Sequence, residues 1–160
     1  MVCKNDGFIC RIIIYMHFIF ESFFVGFYTF AIFVCIRILV TDFSILLFIT
    51  GFFKHLLGYV LQIHTYYCNH GYACQRIMPL EPPVNKTRYI KNYGQIIGES
   101  IMEGFVFIMI GIMYNKYYTN VTANSVYFMI FLSGVSLHVL AEIFGIHYMF
   151  CKTQCVRIIR

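Results

Sequence analysis

Residues 12–36 read IIIYMHFIFESFFVGFYTFAIFVCI, an apolar run whose only acidic or basic side chains are Glu21 and His17, with Cys35 near its end. Crossing a hydrocarbon core of about 30 Å takes about 20 helical residues, so this stretch is long enough to span a bilayer. Its apolar positions do not alternate with polar ones as a barrel strand requires. A helix also satisfies its own backbone groups, which lipid cannot do for it. Arg11 precedes the run, which is much longer than the apolar core of a signal peptide, and no small-x-small cleavage site follows. The segment is therefore expected to be retained as a first span.

The same reading applied outward finds three more runs, 43–67, 95–114 and 125–150. The expected fold is an all-α integral membrane bundle of about four transmembrane helices, forming a single domain over 1–160. Composition agrees: the 160 residues are 60% hydrophobic and 12% charged, with a mean hydropathy of +0.73. A soluble domain of this size has too little interior to hide that much apolar surface. The lipid bilayer is thus the first expected partner. Tyrosines gather at the ends of the runs, as at Tyr66–Tyr67 and Tyr117–Tyr118, where a ring can be buried while its hydroxyl stays wet. The formal charge of +5 comes from dispersed residues. No dense basic block of the kind that binds phosphate backbones is present, so nucleic acid is not an expected partner.

The connectors 37–42 and 115–124 are short and polar, which predicts that the first and second spans, and the third and fourth, are antiparallel neighbours. The connector 68–94 holds all three prolines, Pro79, Pro82 and Pro83, and is expected to lie outside the membrane. No internal repeat is evident, although the two flanking hairpins suggest a two-plus-two arrangement. Nine basic residues, Lys4, Arg11, Arg76, Lys86, Arg88, Lys91, Lys152, Arg157 and Arg160, fall on the side of the termini and the long loop. Only Arg37 and Lys116 fall on the other. The excess predicts cytoplasmic N- and C-termini and a cytoplasmic 68–94 loop. Cys3, Cys10, Cys68, Cys74, Cys151 and Cys155 lie on that same side, where thiols stay reduced, so structural disulfides are not expected. Palmitoylation of Cys3, Cys10, Cys151 or Cys155 is chemically plausible there. Of the two sequons, Asn85-Lys-Thr and Asn120-Val-Thr, only Asn120 is an expected glycosylation site, and a glycan on Asn85 would invert the orientation.

Ionisable groups within a span cost about 2.5–3.5 kcal/mol each. Glu21, Lys54, Glu103, His138 and Glu142 are therefore expected to meet in one buried polar seam. That seam either sets helix packing through hydrogen bonds and an ion pair or forms a path for protons or ions. Glu99 and Glu103 are four residues apart, as are His138 and Glu142, so each pair shares a helix face. The Glu-x-x-His spacing of di-metal carboxylate bundles is absent.

His55 and His138 fall at similar depths on parallel spans, a spacing that suits a single bis-histidine haem. His64 and His147 lie nearer the loop side. Nine residues separate the two histidines of each span, which in a continuous helix puts them on opposite faces. His64, Cys68, His70 and Cys74 are zinc-ligand types, yet they lack the usual C-x2–4-C knuckle. Neither metal nor cofactor is expected. No phosphate loop, nucleophile elbow, zinc-protease motif, thioredoxin-like C-x-x-C or potassium-channel filter is found. Gly94-x3-Gly98 could mark a close helix contact.

The stretch Met102-Glu103-Gly104-Phe105-Val106-Phe107, followed by Ser125, Phe131-Leu132-Ser133-Gly134-Val135-Ser136 and Leu140-Ala141-Glu142-Ile143, resembles the transmembrane protein 45 (dermal papilla-derived) family. The likeness covers about residues 99–147. It implies a multi-pass membrane protein with acidic residues at Glu103 and Glu142. Family members have more spans, and they carry histidines where this chain has Ile108, Met109 and Ile110. No catalytic signature emerges, so the expected role is structural or interaction-mediating, with a homo-oligomer or a membrane-protein partner. The alternatives are a small oligomeric transporter or channel for protons or ions, and a haem or metal membrane oxidoreductase.

Overall fold

The computed structural model describes residues 8–77, 84–89, 93–117 and 123–159. Four long helices dominate it: α1 (Phe8–Arg37), α2 (Phe43–Val60), α5 (Tyr93–Tyr117) and α6 (Ala123–Ile143). Each is long and apolar enough to cross a bilayer, over Met16–Arg37, Phe43–Val60, Tyr93–Tyr117 and Ser125–Ile143. Only 28–33% of each span is buried inside the protein. The outward faces carry apolar side chains such as Phe20, Phe24, Phe27, Met102, Phe105 and Phe128, which lipid covers at no cost and water does not. The observed fold is thus a helical bundle with four helices long and apolar enough to cross a bilayer.

Two spans are shorter than the runs of apolar residues suggest. The second does not continue to residue 67 but stops at Val60, because Gln62 adopts a left-handed conformation with φ +57°. The fourth ends at Ile143, not at residue 150, because Gly145 does the same at φ +70°. Beyond these breaks run α3 (Ile63–His70), α4 (Tyr72–Ile77) and α7 (Ile146–Gln154). A two-stranded antiparallel ladder, β1 (Val84–Tyr89) with β2 (Cys155–Ile159), pairs Tyr89 with Cys155 and Val84 with Ile159. These elements form a cap over one end of the bundle. The 68–94 segment is therefore more than a connecting loop.

The two breaks are 83 residues apart, and that offset relates the two halves of the chain. Phe48 matches Phe131, Thr50 Ser133, Gly51 Gly134, His55 His138, Ile63 Ile146, His64 His147 and Cys68 Cys151. The absence of a repeat was thus a misreading: apolar background hides the identities until the paired turns supply the register. The helices also do not pack as two independent hairpins. α2 packs chiefly on α5 and α1 chiefly on α6, each pairing more extensive than that of the consecutive helices α1 and α2 or α5 and α6 among the described residues. The equivalent glycines sit in the two tight interfaces. A Cβ on Gly51 would stand 2.7 Å from the Glu103 carbonyl oxygen, and one on Gly134 2.6 Å from Thr29 Oγ1 and 2.9 Å from Gly26 Cα. Without a hydrophobic force between helices in lipid, such close approach supplies the packing energy. Gly98 has nothing within 4 Å of an added Cβ, so the Gly94-x3-Gly98 pattern is not a close helix contact at its second glycine.

The end of the bundle away from the cap is filled by Phe33, Leu46, Leu47, Phe107, Val126, Met129 and Ile130. Buried hydroxyls in the spans turn back on their own helices: Thr29 donates to Val25 O, Thr50 to Leu46 O, Ser100 to Ile96 O and Ser133 to Met129 O. They are satisfied without a partner on another helix.

Candidate functional site

The ionisable residues of the spans gather in the half of the bundle next to the cap, in two groups built from equivalent parts of the repeat. Between α2 and α5, the Lys54 ammonium is paired with Glu103 Oε1. His55 bridges two carboxylates, with Nδ1 3.2 Å from Glu103 Oε2 and Nε2 3.1 Å from Glu99 Oε2. Tyr28 of α1 donates to the Lys54 carbonyl at 3.2 Å.

Between α1 and α6, Glu21 takes the place of Glu99: Glu21-Ser22 and Gly26-Phe27 match Glu99-Ser100 and Gly104-Phe105, and Glu21 faces His138 as Glu99 faces His55. Glu21 Oε1 is 2.9 Å from His17 Nδ1 and accepts from the Tyr72 backbone N–H of the cap at 2.7 Å. Its Oε2 faces His138 Nε2 at 3.7 Å, beyond hydrogen-bond reach, and neither atom has another hydrogen-bond partner among the described residues. The repeat puts Leu137 where the first group has Lys54. One group thus holds a fixed cation, while the other relies on imidazoles.

The left-handed turns bring in histidines that a continuous helix would have sent elsewhere. His64 returns to within 5.0 Å of His55, centroid to centroid, and His147 to within 4.5 Å of His138. The expectation that each span's two histidines occupy opposite faces is corrected by these turns. His147 Nδ1 lies 3.1 Å from Glu142 Oε2, so Glu142 pairs across the turn. Tyr67 packs against both His138 and His147. Of the expected seam, the structure joins Lys54 with Glu103 and sets Glu21 facing His138, whereas Glu142 goes to His147. His17, His55 and Glu99 belong to the same groups. His17 and Glu99 each sit four residues before a seam glutamate, the signal by which they were findable.

The zinc-type set of His64, Cys68, His70 and Cys74 is divided. His64 packs on His55 and Phe150, and His70 on Tyr66. Cys68 bonds to Cys155 and Cys74 to Cys151, with Cα–Cα distances of 5.5 and 5.1 Å. The two bonds depart from the expectation of reduced thiols. The physical reason is the repeat: Cys68 and Cys151 occupy equivalent positions in two halves that close on each other at the cap, which collapses sequence separations of 87 and 77 residues. Cys35, on α1, has a free thiol. In the haem pair, both ring nitrogens of His55 face carboxylates and His138 is packed among rings. Asn120 lies outside the described residues.

No protein-family model, curated protein or solved structure matches the chain.

Proposed function

We propose that this chain is a non-conducting, multi-pass membrane protein with a structural or partner-anchoring role, whose cap is the part it presents outside the lipid. The supporting observation is where its buried ions sit. Lys54, Glu103, His55 and Glu99 satisfy one another, Glu21 and Glu142 each hold a histidine, and all lie in the cap-side half. The other half is closed by Phe33, Leu46, Leu47, Phe107, Met129 and Ile130. A path for protons or ions needs polar groups along its whole length. A one-sided set, paired at every ion apart from the open Glu21 Oε2–His138 Nε2 approach, instead fixes helix register.

The test is flux through proteoliposomes. Proton and cation leak is expected to match that of protein-free vesicles, and a flux that Glu103→Gln abolishes would overturn the reading.

The excess of basic residues on the cap and termini favours a cytoplasmic cap. Expression in a glycosylating membrane tests that orientation: Asn85 is expected to stay unmodified, and an endoglycosidase-sensitive shift lost in Asn85→Gln would reverse it.

A further inference from the structure

We propose that the four cysteines of the cap form a redox-exchangeable zinc site, holding Zn2+ as a tetrathiolate when reduced and closing into the two disulfides when oxidised. The sulfurs form one cluster and not merely two neighbouring bonds. Cys74 Sγ lies 3.8 Å from Cys155 Sγ, its partner's neighbour. The sulfurs of Cys74, Cys151 and Cys155 all fall within 4.8 Å of one another, and Cys68 is bonded to the last of these. Zinc binds thiolate sulfur at about 2.3 Å in a tetrahedron, which sets sulfurs about 3.8 Å apart. Passing between the two states requires the bonded sulfurs to separate by less than about 2 Å each, within the reach of cysteine side-chain rotation.

Three further features suit this chemistry. All four cysteines are shielded, with Cys74 and Cys151 wholly buried and Cys68 and Cys155 at most 5% exposed; structural zinc sites are closed in this way. Cys151-x3-Cys155 has the C-x2–4-C spacing of a zinc knuckle, formed here by the last turn of α7 leading into β2. Lys152 directly follows Cys151, which puts a basic residue beside a dianionic centre. The ligand set also differs from the H-x3-C-x-H-x3-C series legible in one segment. Both halves of the repeat contribute two sulfurs, so the metal would tie the α3–α4 turn to α7.

The chemistry balances with a dithiol as reductant. Two equivalents each deliver two electrons and two protons, break one S–S bond and leave as their own disulfide. The resulting four thiols release four protons on binding Zn2+. In reverse, two equivalents of a disulfide-class oxidant accept four electrons in all and four protons from water, leaving as thiols, while zinc is released and the Cys68–Cys155 and Cys74–Cys151 bonds re-form. The site stands on the sulfur geometry. Only the compartment in which it fills rests on the proposed cytoplasmic orientation, where thiols stay reduced and zinc occupancy is the expected state.

The experiment uses the full chain purified in detergent, reduced with a dithiol under anaerobic conditions, loaded with Zn2+ and desalted. The expected result is one zinc per chain, released by a disulfide oxidant, with at least a tenfold drop in occupancy for Cys151→Ser and for Cys155→Ser. A serine variant can fail by misfolding, so Co2+ is loaded into the unaltered chain as a second readout, with tetrahedral bands and thiolate-to-metal charge transfer expected. Reduced protein that retains less than a tenth of an equivalent of zinc, or Co2+ without a thiolate band, would overturn the proposal. So would zinc that persists in both variants. None of these readings depends on which way the cap faces.

Discussion

Replacing Glu103 by Gln isolates the Lys54 ammonium, whose side chain is only 14% exposed and whose paired carboxylate comes from α5. His55 loses one of its two carboxylates in the same step. Breaking a buried ion pair from one side typically costs about 3–5 kcal/mol, because the remaining charge is left uncompensated. Lys54→Met is expected to cost about half as much, since Glu103 keeps His55 Nδ1 at 3.2 Å as a hydrogen-bond partner. The double variant removes both charges and should cost no more than Glu103→Gln alone, for a coupling of about 2 kcal/mol or more between the two sites. Unfolding in mixed micelles titrated with SDS measures all four corners of this cycle. Additivity within about 0.5 kcal/mol would refute the claim that the pair is a structural unit, and a single variant as stable as the parent would do so more directly.

Packing at the repeat glycines gives a paired prediction. Gly51→Ala places a methyl against the Glu103 carbonyl and should destabilise the α2–α5 interface by about 1–3 kcal/mol, as overpacking usually does. Gly98→Ala, in open space on α5, should instead gain up to about 1 kcal/mol from helix propensity. At the two turns, Gly145→Ala should cost about 1 kcal/mol and Gln62→Gly should be neutral or stabilising, because a left-handed φ strains any residue with a Cβ; SDS titration distinguishes the pair. In the cap, burial, reinforced by the neighbouring His138, pushes the His147 pKa from 6.5 down to about 4 against the opposing pull of Glu142. The unfolded chain therefore takes up the proton first. The stabilisation is complete above pH 6.5 and fades as the pH falls toward 4. Amide exchange in α7 should quicken between pH 7 and pH 5, after correction for intrinsic rates, and His147→Phe should flatten that dependence.

The membrane core was legible because its signal is length and hydropathy: residues 12–36 announce a span without any tertiary knowledge. The cap was not, because its two turns depend on single backbone conformations. Gly145 is a residue that favours a left-handed φ, but Gln62 carries no such mark, so an apolar run through Leu61 and Ile63 reads as continuous helix. Each downstream misreading follows from that one. A helix carried past Gln62 turns His64 away from His55, leaves Cys68 facing outward and hides the equivalence with His147 and Cys151. The Lys54–Glu103 pair survived because both residues sit well inside uninterrupted helices. Glu142, expected in the seam, pairs instead with His147, a partner that the turn at Gly145 brings to it.

Embedding in lipid is tested most directly by spin labels at Phe27 and Met109, which lie on α1 and α5 and are 62% and 59% exposed, compared with a label at Lys152 in the cap. The first two labels should be readily relaxed by oxygen, which partitions into acyl chains, and shielded from a polar nickel chelate, with the reverse at Lys152. Nickel accessibility at Phe27 and Met109 equal to that at Lys152 would mean that these helices stand in water, contradicting the account.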